Sequence, residues 1–202
     1  MNAEYLEGDI PESFLDAART NGCVSIDIET TGLEFDENEV CLIQMWLPER
    51  VVIVRPTSNE VPLLGALLSD PKTRKIFHHA MFDLRFLVFH FKFSVANIAC
   101  TKIMSKLLSP NNLKHSLKTL LKDHLGIEIS KTLQVSDWSK TNLSKEQLKY
   151  AIDDVAHLRS LHDKLLKELE ERRLDGLLRA CFTHVPARVK LDLLKYDDVY
   201  SY

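Results

Sequence analysis

Three short segments, far apart in the chain, place carboxylates where divalent cations could be held: SIDIETTGL (25–33), FHHAMFDL (77–84) and YAIDDVAHL (150–158). Together they offer Asp27, Glu29, Asp83 and Asp154, with Tyr150 one helical turn before the last acid. Acids of this kind suit hydrolysis of a phosphodiester, which puts extra negative charge on the attacking and leaving oxygens. Two cations roughly 3.5–4 Å apart stabilise both ends and lower the pKa of the attacking water. Hard oxygen ligands select Mg²⁺ or Mn²⁺, and the eight histidines show no zinc-ligand spacing.

Each segment also admits a plainer reading. In the first, strand alternation sends Val24, Ile26 and Ile28 to one face and Ser25, Asp27 and Glu29 to the other. Two acids at i and i+2 repel if both stay charged and unpaired; a bound cation resolves this in a central strand, and solvent resolves it at an edge. In the second, Asp83 falls in the first turn of a helix, where any acid interacts favourably with the macrodipole. His78 and His79, at the preceding strand end, could reach a phosphate or a sugar hydroxyl, or be satisfied surface histidines. In the third, Tyr150 and Asp154 stack at i and i+4, while Asp153 is turned away by about a hundred degrees and cannot share the ligand set. A tyrosine there can orient an attacking water; an amphipathic helix with a half-buried tyrosine fits the same spacing.

The elements that must position these residues are those of an α/β domain. Residues 23–29, 39–46 and 50–55 read as three consecutive strands, with turns at Gly32 and at Pro48–Glu49. A short helix is expected over 61–69, a fourth strand over 75–79 feeding a helix over about 81–92, and a fifth over 97–100. From 101 onward the pattern is helical: Leu117, Leu120, Leu121 and Leu125 recur at helical spacing with Gly126 as C-cap. Ser144 and Gln147 form a capping box opening a long helix over roughly 144–172. The tail, 184–202, with Pro186 and the apolar Leu191, Leu193 and Leu194, reads as an arm that packs on a neighbouring subunit.

Bulk composition sets the outer limits. The 202 residues fit a single domain, 45% hydrophobic and 27% charged, without low-complexity tracts. Asp9, Glu12 and Asp16 interrupt any N-terminal apolar run, and no stretch is long enough to span a bilayer. Four scattered cysteines, with no Cys-x-x-Cys pair, fit reduced thiols in a cytoplasmic protein. A net charge of −3 disfavours holding long nucleic acids by phosphate neutralisation alone and favours small substrates.

The acid pattern is similar to that of the DEDDy exonucleases, the RNase D-like superfamily: D-x-E first, a motif ending in Asp second, and Tyr-x-x-x-Asp third. SDWSKTNLSKEQLKYAIDDV (136–155) resembles the corresponding RNase D stretch, and the 202 residues are expected to hold no C-terminal helical HRDC domain of the full-length RNase D kind. The resemblance is closer to the compact bacterial branch called nano-RNase C, from GDIP (8–11) almost to the end. It includes CTKIMSKL (100–107), LGIEISK (125–131), ACF (180–182) and the P-x-R-x-x-LDLL run at 186–194. It implies an RNase H-like α/β fold with a mixed central sheet flanked by helices, release of 5′-mononucleotides, a ring-shaped homo-octamer, and a preference for dinucleotides and very short RNAs.

By the same resemblance, Asp27, Glu29 and Asp154 bind one cation, Asp27 bridges to a second, and Asp83 holds the second through water. Tyr150 orients the nucleophile. Leu33 occupies the place of an apolar wedge between bases, Thr30 stands in the same motif, and His78 matches a histidine of the branch whereas His79 does not.

Residues 102–131 carry six lysines against Asp123 and Glu128, and Lys114, Lys118 and Lys122 form a stripe. That stripe positions phosphates or is a solvated face; Lys118 lies in the His-x-Leu-Lys run shared with the family. Two rival readings stand beside a dinucleotide-preferring exoribonuclease: an RNase D-like trimmer of longer RNA or single-stranded DNA, and a non-catalytic nucleic-acid-binding module.

Overall fold

The computed structural model describes residues 3–130, 132, 133, 135–199 and 201. Lys131 of the lysine-rich run, and Tyr200 and Tyr202 of the tail, lie outside the described residues. Six strands, β1 (Ala3–Glu7), β2 (Cys23–Thr30), β3 (Val40–Leu47), β4 (Arg50–Arg55), β5 (Arg74–Phe77) and β6 (Ile98–Cys100), form one sheet in the order β1-β4-β3-β2-β5-β6. β2, β3 and β4 pair antiparallel, while β1 joins β4, and β5 and β6 extend from β2, in parallel. The mixed α/β sheet matches the expected architecture.

The helices are α1 (Glu12–Asn21), α2 (Pro62–Ser69), α3 (Ala80–Phe91), α4 (Thr101–Leu108), α5 (Leu117–Leu125), α6 (Lys145–Ala156), α7 (Leu158–Glu171) and α8 (Asp175–Leu193). Alternation along β2 decides which helices cover which face. Val24, Ile26 and Ile28 are buried in the main core with residues of α1, α2, α3 and α8. The opposite face carries Leu42, Val51 and Ile53 beneath Trp138 and the α6 residues Tyr150 and Ala151. β2 is therefore a central strand, flanked by β3 and β5, and its acids are not those of a solvated edge. A third cluster, with Leu117, Leu121, Leu158, Leu161 and Leu165, packs α4, α5 and α7 around Ile76 and Ala99.

Four elements differ from the sequence reading. The helix expected over 144–172 is two helices, because the backbone at His157 (φ −107°, ψ −4°) caps one and opens the next. α6 lies on β2 and β3, whereas α7 packs on α4 and α5, and one straight rod could not serve both. Hydrophobic spacing runs through the break, so it left no mark in the sequence.

Residues 184–193, expected as part of an arm, complete α8 with Pro186 inside it. An interior proline costs a helix about 3 kcal/mol, but burial of Val185 and Val189 in the main core returns roughly 1.5–3 kcal/mol each. β1 and α1 are elements that the sequence pattern does not predict. β1 is a half-exposed edge strand without clear alternation, and α1 begins at Pro11 without a side-chain cap.

Candidate active site

Asp27 and Glu29 stand on β2, facing α6, whose capping box is present: the Ser144 side chain accepts from Gln147 N–H, and the Gln147 side chain accepts from Ser144 N–H. This fixes the start of α6 and hence the height at which Tyr150 and Asp154 meet the strand. One carboxylate oxygen each from Asp27, Glu29 and Asp154 lies within 4.8 Å of the others. Asp83, in the first turn of α3, lines the same cleft outside this tight group. The four acids are thus brought to one cleft, three of them near enough to share a cation and Asp83 in the same lining. Asp153 points elsewhere and is ion-paired with Lys149.

The electrostatics of the cluster are strained. Burial, then the neighbouring charges of Asp154 and Asp83, push the Glu29 carboxyl up to about 9. Burial, with a smaller push from Asp154, raises Asp83 to about 8. Gln44 offers Glu29 only a long hydrogen bond, Nε2 to Oε1 at 3.4 Å. Asp83 Oδ2 is buried with no hydrogen-bond partner among the described residues. Buried oxygen atoms without a donor are costly to maintain, and a divalent cation would satisfy them. An all-carboxylate donor set fits Mg²⁺ or Mn²⁺ better than zinc.

Tyr150 packs against Trp138, ring centroids 5.8 Å apart, and donates a hydrogen bond to Asp154. Burial, then the surrounding carboxylates, drive its pKa upward. The phenol therefore keeps its proton and can hold a water molecule but cannot serve as a phenolate base.

The cleft measures about 740 Å³, within the usual range for small-ligand sites. Thr30 lines it, its hydroxyl donating to the Gly32 carbonyl at 2.6 Å. Leu33 also lines it and is 74% exposed, an apolar side chain held in solvent at the mouth. His78 lines it with Nδ1 2.9 Å from the Thr101 hydroxyl. Lys118 does not line it: it is exposed on α5, whose Leu117, like the capping Ser116, does. His79, left without a role by the motif pattern, also lines the cleft, and burial, then Lys102 and Arg85, lower its pKa to about 4. It is a neutral group near neutral pH.

Several cleft residues were not singled out from sequence: Phe82, Arg85, Lys102, Val135 and Trp138. Val135 is 95% exposed, a second apolar side chain beside Leu33 in the lining. A usable signal existed for some of these. Ligands of α/β sheets gather at the carboxyl ends of parallel strands, and His78, His79 and Lys102 follow β5 and β6 directly.

Known proteins are similar to this chain in sequence and fold. Ribonuclease D of Gluconacetobacter diazotrophicus is 35% identical over 155 residues, covering 75% of this chain and 39% of that protein. The chain thus spans about two fifths of that curated relative. Brucella melitensis NrnC superposes with a TM-score of 0.93 at 33% identity, covering 100% of this chain and 99% of that one. The same Brucella protein has been solved bound to pGG, with a TM-score of 0.92, and with bound Mg²⁺, also with a TM-score of 0.92. Escherichia coli RNase D, 22% identical, shares the fold with a TM-score of 0.81 over 94% of this chain and 51% of its own. Residues 7–170 match the 3′–5′ exonuclease family, and with this breadth of match the chain belongs to that family, on its RNase D-like side.

Proposed function

We propose that this chain is a 3′–5′ exoribonuclease that hydrolyses dinucleotides and short oligoribonucleotides to 5′-mononucleotides. The observation that carries this reading is the convergence of Asp27, Glu29 and Asp154 within 4.8 Å in a cleft that Asp83 also lines. These four acids are the residues that would hold two divalent cations, Mg²⁺ or Mn²⁺. When bound, the cations would lower the pKa of the attacking water and stabilise the charge on the attacking and leaving oxygens.

The remaining roles belong to the chain's own side chains. Tyr150, protonated and tethered to Asp154, accepts from and orients the water. Leu33 slots between bases and so sets how far the 3′ end enters. Thr30 and His78 contact the sugar-phosphate near the scissile bond, and Lys118, exposed on α5, would meet only the trailing part of a longer strand. Residues 1–202 act as one exonuclease domain. In line with the family resemblance the protein works in the cytoplasm as a homo-oligomer, an octamer.

A preference for short substrates is supported by charge. Among the described residues of the cleft lining the cationic side chains are Arg85 and Lys102, with His79 neutral, against Asp27, Glu29, Glu34, Asp83 and Asp154. Long-strand binding gains affinity from each neutralised phosphate, and little such gain is on offer here. The pGG-bound Brucella relative points the same way.

End-labelled two- and seven-residue RNAs, compared with Mn²⁺ present, are expected to show faster turnover of the dinucleotide. Equal or reversed rates would move the reading to trimming of longer RNA or single-stranded DNA. Tyr150→Phe is expected to lower kcat by about 100-fold or more, the scale of losing one positioned proton-handling group, with KM little changed. A rise in KM alone would assign Tyr150 to substrate binding instead.

A further inference from the structure

A second cavity lies at the other end of β2. It measures about 220 Å³ and is lined by Lys72, Arg74, Arg159 and His162, with Asn21 and Asn97. None of its lining residues lines the acidic cleft. Cys23, also in its wall, precedes Asp27 by four strand positions, a separation of roughly 13 Å at the usual strand rise.

Its charge is opposite to that of the cleft and of the chain. Three cationic side chains face one carboxylate, Asp163, a local excess of two positive charges in a chain of net charge −3. Lys72 and Arg74 make no side-chain hydrogen bond or ion pair among the described residues. Arg74 is close enough for its charge to act on both Cys23 and His162. Arg159 donates through Nε to Asp163 Oδ2 at 2.9 Å and through Nη1 to Cys23 Sγ. These bonds fix the guanidinium and leave Nη2 uncommitted among the described residues.

His162 specifies what the cavity can take. It is only 3% exposed, and its Nδ1 lies 2.9 Å from Asp163 Oδ1. A carboxylate only accepts, so Nδ1 carries the proton and Nε2 presents a lone pair. Burial lowers the pKa of this ring and keeps that lone pair free. Nε2 is buried and has no hydrogen-bond partner among the described residues, an arrangement native proteins avoid unless something fills it. Cations beside a buried acceptor call for an anion that also carries an O–H. We propose that this cavity is a binding site for a protic oxyanion of the hydrogen phosphate class, separate from the acidic cleft. The P–OH donates to His162 Nε2, and the charged oxygens accept from Arg159, Arg74 and Lys72. The assignment does not depend on the exonuclease reading.

Equilibrium dialysis of the full chain against radiolabelled inorganic phosphate, in chelator so that no cation bridges phosphate to the acids, tests this directly. One saturable phosphate per chain is expected. Unlabelled sulfate, which has no O–H at neutral pH, should compete about tenfold or more weakly, because a site built around a hydroxyl rejects the analogue lacking it. The 5′-mononucleotide arm separates free phosphate from a nucleotide phosphate. At about pH 8, where the monoester is a dianion without a proton, it should compete as poorly as sulfate.

The double variant Lys72→Glu/Arg74→Glu, at two exposed positions, should lose binding while keeping its circular dichroism spectrum, and Asp27→Asn should retain it. The proposal is overturned by no saturable phosphate, by equal competition from sulfate or from the dianionic mononucleotide, by full binding in the folded double variant, or by loss of binding in Asp27→Asn.

Discussion

Asp27→Ala is expected to lower cleavage of a dinucleotide by about a thousandfold or more, with the fold preserved. Stabilisation worth several kcal/mol is lost when a cation can no longer be held in place, and each ~1.36 kcal/mol is a factor of ten in rate. The fold should survive because Asp27 is half-buried on the polar face of β2, while Ile26 and Ile28 pack the main core on the other side. In chelator the variant should unfold at a temperature no lower than the parent, since removing one carboxylate relieves the crowding around Glu29 and Asp154. Rate measurement and thermal melts on the same sample decide the matter. Cleavage that persists at near-parental rate would remove Asp27 from the chemistry.

The second large effect is a coupling between protons and cations. With Glu29 raised to about 9 and Asp83 to about 8, both carboxyls hold protons near neutral pH in the cation-free protein. A cation must displace them, so its apparent affinity rises with pH, by up to about tenfold per pH unit for each proton released. The Mg²⁺ concentration giving half-maximal activity is therefore expected to fall at least about tenfold between about pH 6.5 and pH 8.5.

Stability follows the opposite sign without the cation. The folded chain keeps the Glu29 proton from its ordinary value of 4.5 up to about 9, a window in which the unfolded chain has lost it. The cation-free fold loses stability as pH rises through that window. Added Mg²⁺ should raise the melting temperature more at pH 8.5 than at pH 6.5. A pH-independent Mg²⁺ response would show that these carboxyls are already ionised.

Much of this cleft could be read before any coordinates. The alternation in CVSIDIE separates Ile26 and Ile28 from Asp27 and Glu29 because strand geometry leaves no other choice, and the Ser144–Gln147 box marks where α6 begins. What the sequence did not reveal depends on docking. The turn at His157 is set by two surfaces that α6 and α7 must satisfy separately, and local spacing carries no record of it. Pro186 reads as an end of structure, yet Val185 and Val189 on either side bury deeply enough to carry the helix through it. Arg85 and Lys102 belong to no motif; only the layout of β5 and β6 brings them to the acids. Lys118 shows the converse, since a family run groups it with substrate-binding residues while the fold leaves it exposed on α5, outside the cleft lining.

The bend at His157 also divides responsibilities along the chain. The segment bearing Tyr150 and Asp154 rests on β2 and β3, and its successor rests mainly on α4 and α5. Drift in the leucines of the later segment can reshape the helical layer without re-aiming the acid, so this fold can remodel its periphery, second cavity included, while the placement of its acids stays put.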